Sequence, residues 1–256
     1  AVHHLVMDGV SWRILLEDVQ NAYQQAKENK EISLPAKSTS FQYWADQLKG
    51  FALSQTISDE AEYWTHYERS LVAPIPVDMP ANRQKNYETG AKSVNEVLTA
   101  DETKSLLQEL PTKLDAQIND ILLTGFVDAY AQWSGKRSLL IDMEGHGRET
   151  LFDDVDISRT IGWFTVLYPL FLKAWRAQNE QEAVHSIKSQ RQQVPRNGIG
   201  YGLLRYGHNE VSEKLAKLPA PEISFNYLGQ FDQVLDDSSP FKPAGESKGA
   251  DRGVRW

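Results

Sequence analysis

A short apolar run set between a long helical pattern and a glycine-bracketed turn limits what this chain can fold into more than any other feature. Ile118, Leu122, Gly125, Phe126, Ala129 and Trp133 recur at the spacing of one helix face, with Asn119 near the helix start and Gly135 placed to close it. Ser138 to Glu144 then reads as a strand, with Leu139-Leu140-Ile141 at its centre. Strand signals return at Thr165 to Leu172 and at Ile223 to Tyr227, interleaved with helical patterns at Glu180 to Val194 and Glu210 to Leu218. Strands alternating with helices imply an α/β or α+β architecture and exclude an all-helical bundle or an all-β sandwich.

The segment before that region reads as helical. Ser11 is the expected N-cap of a helix with Leu15, Val19, Ala22 and Ala26 on one stripe. A second helix is predicted from Thr39 or Ser40, with Phe41, Trp44, Ala45 and Leu48 on one face. A third runs from about Asp59 to Ser70 and presents Tyr63, Trp64 and Tyr67. Between Ala73 and Gly90 lie Pro74, Pro76 and Pro80 in polar company, which predicts a linker over 73–90 between a unit ending near 72 and another spanning 91–256. Beyond it, Thr99-x-x-Glu102 is a capping-box pattern opening a short helix that Pro111 is expected to end. The tail after Val234 is rich in Asp, Ser, Pro and Gly and reads as loop or linker.

Composition narrows the chemistry. With no Cys among 256 residues, disulfides, thiolate metal sites and a Cys nucleophile are excluded, and a reducing cytoplasm is the expected setting. A net charge of −8 without a Lys/Arg cluster lacks the footprint of a nucleic-acid binder. No apolar run approaches the roughly 20 residues of a membrane-spanning helix. Chemistry must rest on His, Asp, Glu, Tyr and Ser.

Four stretches carry such groups. In His3-His4-Leu-Val-Met-Asp8-Gly9 an apolar strand end turns into a helix, and alternation along a strand would direct only one of the two histidines into a given cleft. This argues against a chelating metal pair; a buried, hydrogen-bonded His pair is the alternative to a catalytic one. Glu144-Gly145-His146-Gly147-Arg148-Glu149 displays ionisable groups on a tight turn at a strand end. A solvated turn with an ordinary ion pair is the alternative there. Burial of Glu144 at the end of its apolar strand would raise its pKa, as proton transfer near neutral pH requires. Pro195 to Gly202 lacks a Walker lysine, so a glycine-rich turn bringing backbone close to another element fits better than phosphate binding. In Phe225-Asn226-Tyr227-Leu228-Gly229, Tyr227 is either a core aromatic or a polar group at a strand end.

Together with Arg159-Thr160-Ile161-Gly162-Trp163-Phe164-Thr165, these stretches in this order resemble the signature series of nonribosomal peptide synthetase epimerization domains. HHxxxDG is shared with condensation domains of the same superfamily, whereas EGHGRE, RT(V/I)GWFT, PxxGxGYG and FNYLG resemble the epimerization branch. Ile161 stands where Val is commoner. The resemblance covers Val2 to about Phe231 and implies a two-lobed, chloramphenicol acetyltransferase-like pseudo-dimer with mixed β-sheets flanked by helices. In that reading residues 1–72 are the end of the N-terminal lobe and 91–256 most of the C-terminal lobe. The family's first motif is expected before Ala1, which would make the sequence a fragment with part of its apolar interface uncovered.

The resemblance also implies the chemistry. His4 and Glu144 map onto an acid/base pair from different lobes that inverts the Cα centre of an aminoacyl or peptidyl thioester. Tyr227 lies nearby as a donor to the enolate. Asp8 and Gly9 shape the histidine loop, while His3, His146 and Arg148 are supporting residues. No metal or nucleotide is implied; the cofactor is the 4'-phosphopantetheine arm of a neighbouring carrier domain. The partners implied are that peptidyl carrier and adjacent adenylation and condensation domains, with no nucleic acid and no membrane. The rivals are a condensation domain forming a peptide bond and an inactive module that only docks carrier domains.

Overall fold

The centre of the structure is the strand β1, Ser138–Gly145. Its antiparallel partner β2, Val166–Lys173, pairs in a register that sets Ser138 opposite Lys173 and Glu144 opposite Leu167. On its other edge β1 takes a two-residue parallel partner, β3, Ser224–Phe225, giving a mixed sheet of order β2-β1-β3. The computed structural model describes residues 2–79, 90–174, 179–207, 209–229, 239, 241, 242 and 245. Within them the fold is of the mixed α/β class that the pattern of elements implies. The expected strand over 223–227 is cut to two residues, although the Asp142 N–H still donates to the Ile223 carbonyl.

One face of β1 is fully buried: Leu139, Ile141 and Met143 are at most 4% exposed. They pack with Leu170 and Leu172 of β2 and with Leu123, Val127 and Tyr130 of the helix α7, Ile118–Ser134. Helix α8, Glu180–Gln192, adds Ile187. Here the predicted face of α7 is off by one position. The helix is apolar on several sides, and the sheet takes the stripe through Asp120, Leu123, Val127 and Tyr130, leaving Trp133 exposed. Asp120 joins a buried stripe because it caps the Gln117 N–H and receives Arg191 of α8 at 2.6 Å. Gly135 closes the helix in the left-handed conformation, φ 69°, as expected.

The elements before β1 also depart from expectation in part. Helix α1, Gly9–Lys27, is capped by Asp8, not Ser11, which sits one turn inside and is buried. Ser11 and Ile14 are its buried residues, and Val19 of the predicted stripe is exposed. Helix α2, Phe41–Phe51, starts behind its cap Ser40 and buries Trp44. The helix expected over 59–70 is broken. After α3, Gln55–Ser58, come α4, Ala61–Trp64, and a 3₁₀ turn, Tyr67–Leu71. Ile57 and Trp64, both fully buried, belong to the same core as the sheet, while Tyr67 is exposed. The break lets Arg69 turn inward and donate to the Pro169 carbonyl of β2 at 2.7 Å.

The capping box forms as predicted on α5, Ala100–Lys104. Pro111 does not end the helical run. A π-helical turn, Ser105–Glu109, hands over to α6, Leu110–Lys113, with Pro111 in its first turn, where a missing N–H is tolerated. The candidate linker and the tail after 234 lie largely outside the described residues. Pro74 and Ile75, which are described, are tied to the C-terminal elements by Lys136 and Glu222. No helix among the described residues is long and apolar enough to cross a membrane.

Candidate active site

The histidine motif does not form a strand end. His4–Val6 is a 3₁₀ turn, closed by Val6 N–H to His3 O and Met7 N–H to His4 O, and His3 caps it by accepting the Leu5 N–H on Nδ1 at 3.1 Å. The alternation argument for His3 and His4 therefore does not apply. Both imidazoles are exposed, not buried, and His4 stands edge-on to Trp163 with 5.6 Å between ring centroids.

Asp8 ends this turn and begins α1. Asp8 is buried, and its carboxylate accepts the N–H groups of Ser11 at 2.7 Å and Phe164 at 3.0 Å, as well as Arg148 Nη2 at 3.3 Å. Burial alone would raise its pKa. The hydrogen bonds from Ser11 and Phe164 and the Arg148 charge more than offset this and hold the carboxyl below its usual range. The Ser11 hydroxyl donates to the Gly162 carbonyl and accepts from the Gly162 N–H and from Arg148, so its full bonding capacity is used. Arg148 Nη1 meanwhile donates to the Ile157 and Thr160 carbonyls at 2.7 and 2.8 Å, and its guanidinium lies 4.0 Å from the Phe164 ring centre. One arginine thus pins the histidine loop, the start of α1 and the Gly162-Trp163-Phe164 stretch to the turn after β1. Gly9 opens α1 and is exposed.

That turn needs its second glycine. Gly147 has φ +65°, and a Cβ there would lie 1.7 Å from the Phe164 carbonyl oxygen. His146 points outward, accepts the Arg148 N–H on Nδ1, and approaches Glu149 at 3.7 Å. Glu144, at the end of β1, is half-buried. Desolvation pushes its pKa up, and the nearby His4 charge partly counters this. His4 is thus within electrostatic range of Glu144, although the two are 140 positions apart in the chain. The half-buried Tyr227 follows Asn226, whose Nδ2 donates to Glu144 Oε2 at 2.7 Å.

The structure thus joins Asp8, Ser11 and Arg148 in one network, brings Asn226 onto Glu144 with His4 within electrostatic range, and leaves the His3, His4 and His146 side chains exposed. Sequence reasoning missed Asn226, Ser11 and Trp163 as parts of the site. Asn226 and Trp163 sit inside recognisable motifs, but only the fold shows what they touch.

A condensation-domain family model matches residues 1–247. The chain belongs to the condensation-domain family. Among relatives of this condensation-family domain, one of the linear gramicidin synthase proteins of Brevibacillus parabrevis is 46% identical over 249 residues, covering 97% of this chain and 3% of that protein. Surfactin synthase subunit 1 of Bacillus subtilis (strain 168) is 42% identical over 238 residues, covering 92% of the chain and 7% of that protein. The crystal structure of the epimerization domain from the third module of tyrocidine synthetase B superimposes with a TM-score of 0.80 at 39% identity, covering 90% of this chain and 52% of that one. The first condensation domain of the calcium-dependent antibiotic synthetase, at 17% identity and TM-score 0.62, shares the fold. The domain therefore has the chloramphenicol acetyltransferase-like α/β fold of this family. It spans about half the length of these solved structures and a small fraction of the synthetase proteins.

Proposed function

We propose that this domain inverts the Cα centre of an aminoacyl or peptidyl residue carried as a thioester on the phosphopantetheine arm of a carrier domain. The observation that carries the reading is Glu144: a desolvated carboxylate at a strand end, oriented by Asn226, within electrostatic range of an exposed imidazole from a loop 140 positions away. A thioester acidifies its Cα–H. In this reading Glu144 and His4 act as a pair: one takes that proton, the electron pair passes into the thioester carbonyl as an enolate, and the other returns a proton to the opposite face, with the roles exchanged in the reverse direction. Tyr227 is the donor assigned to the enolate oxygen. Asn226 occupies Oε2, which leaves Oε1 for the proton. His4 is exposed and Glu144 half-buried, as a substrate delivered from outside on a carrier arm requires. The partners in this reading are the carrier and the neighbouring synthetase domains. The lobe boundaries at 72 and 91 belong to the same proposal.

Within the family, peptide-bond formation is the competing activity, since condensation domains use the same fold. Cα exchange separates the two. The full-length protein, given a carrier-bound L-aminoacyl thioester in deuterated water, should incorporate deuterium at Cα and yield an L/D mixture. Glu144→Gln and His4→Ala should each lower that rate about 10²–10⁴-fold. Peptide-bond formation with a second loaded carrier, without Cα exchange, would assign the domain to condensation instead.

A further inference from the structure

The stretch Pro195 to Gly202 plays no part in that proton transfer, yet it holds unusual backbone. Arg196 and Asn197 have φ of 43° and 49°, the only consecutive non-glycine residues with positive φ among the described residues, and Gly198 follows at 86°. Asn tolerates this region; Arg rarely occupies it without something to hold it there. The holder is Glu60, whose side chain is only 3% exposed. Its Oε1 accepts Arg196 Nη1 at 2.5 Å and its Oε2 accepts Trp64 Nε1 at 3.0 Å. The fit leaves no slack. A Cβ on Gly200 would lie 2.0 Å from Glu60 Oε2, and one on Gly198 would lie 2.0 Å from the Tyr168 ring.

The held turn lies behind the residues that follow Glu144. The Asn197 carbonyl oxygen lies 3.7 Å from where a Cβ on Gly145 would be, and Asn197 Nδ2 donates to Glu149 Oε2 at 2.9 Å. Gly145 and Glu149 are the two ends of the turn after β1. Because side chains alternate along a strand, this backstop meets β1 on the face opposite the Glu144 carboxylate. We propose that Glu60 is a positioning residue for Glu144: through Arg196 it holds the strained turn against Gly145 and Glu149, and so fixes the end of β1 from behind.

This inference rests on Glu144 as the proton-transfer group, and the test separates the two. Glu60→Gln keeps the side-chain shape but offers one acceptor to two donors; Arg196→Met removes the tether from a side chain that is 37% exposed, and it carries the test should Glu60→Gln fail to fold. Two readouts are taken on the full-length protein: Cα deuterium uptake of a carrier-bound L-aminoacyl thioester, and amide hydrogen exchange of the 144–149 segment. Each variant should lower kcat about 10- to 100-fold with KM unchanged, the cost expected for a misplaced catalytic group. Each should also shift the limb of the pH–rate profile set by Glu144 to lower pH, as its carboxylate becomes solvated, and speed amide exchange over 144–149. The double variant should be no worse than the more damaged single. A lower melting temperature with kcat, the pH limb and 144–149 exchange all as in wild type would overturn the proposal. If the wild type shows no Cα exchange, or Glu144→Gln exchanges normally, the acid/base reading falls, and amide exchange alone decides whether Glu60 holds the end of β1.

Discussion

Replacing Arg148 with Met tests the claim that one guanidinium joins the histidine loop to the turn after β1. The side chain is 8% exposed and that of its partner Asp8 is 3% exposed, so both charges are sheltered from water. Breaking such a pair by removing one member typically costs about 3–5 kcal/mol, because the survivor remains charged and buried. Two features pull in opposite directions. Asp8 keeps the N–H donors of Ser11 and Phe164, which lowers the cost, while the Ile157 and Thr160 carbonyls lose their shared donor, which raises it. We expect a loss of about 4 kcal/mol, since a buried pair costs about 3–5 kcal/mol when one partner is removed. For a domain of this size that is a fall of about 8–16 °C in melting temperature. Urea unfolding of wild type, Arg148→Met, Asp8→Asn and the double variant supplies the cycle. The two singles should couple by about 1–3 kcal/mol, as residues sharing one network do. An Arg148→Met protein within about 1 kcal/mol of wild type, the scale of an exposed ion pair, would refute the reasoning.

Glu144→Gln carries a sign as well as a loss of exchange. Burial makes the Glu144 carboxyl easier to protonate in the fold than in the unfolded chain, so the folded state binds more protons between the two pKa values. Stability therefore falls as pH rises through that window, and the deficit persists above it. The Gln variant should melt above wild type at neutral pH and lose this advantage below about pH 4, the ordinary Glu range; a variant less stable than wild type at neutral pH would contradict the desolvation. His3→Ala removes only an exposed cap, so it should cost about 1 kcal/mol or less and keep Cα exchange within about tenfold of wild type. A loss as large as that of His4→Ala would show that the two histidines act together.

Much of this was legible in the sequence, for identifiable reasons. The positions of β1, β2, α8 and the closure of α7 at Gly135 could be read because each combines a periodic apolar run with a local stop signal. The half-burial of Glu144 followed from its place at the end of an apolar strand. What could not be read depends on partners distant in sequence. The apolar surroundings of α7 do not say which stripe the sheet will take, and the true stripe contains Asp120, which only the later Arg191 makes tolerable. Pro111 looked like a stop because a π-helical turn has no sequence signature of comparable strength. The histidine motif looked extended because its apolar neighbours suit a strand; its 3₁₀ turn is held by His3, a side chain read for chemistry and not for capping. Asn226 lies within the FNYLG motif, but its role required knowing that β3 lies beside β1.

That neighbour relation orders the assembly of the site in time. β3 is two residues long and joins β1 in parallel, and the Asn226 amide that orients Glu144 lies 82 positions after it. A parallel pairing between strands so far apart in sequence forms late, because the entropy of bringing them together must be met before the contact returns anything. During synthesis the chain makes β1, β2 and α8 while the Glu144 carboxylate still lacks its orienting partner. The Glu144 carboxylate therefore stays unaimed until nearly the last described element has been made.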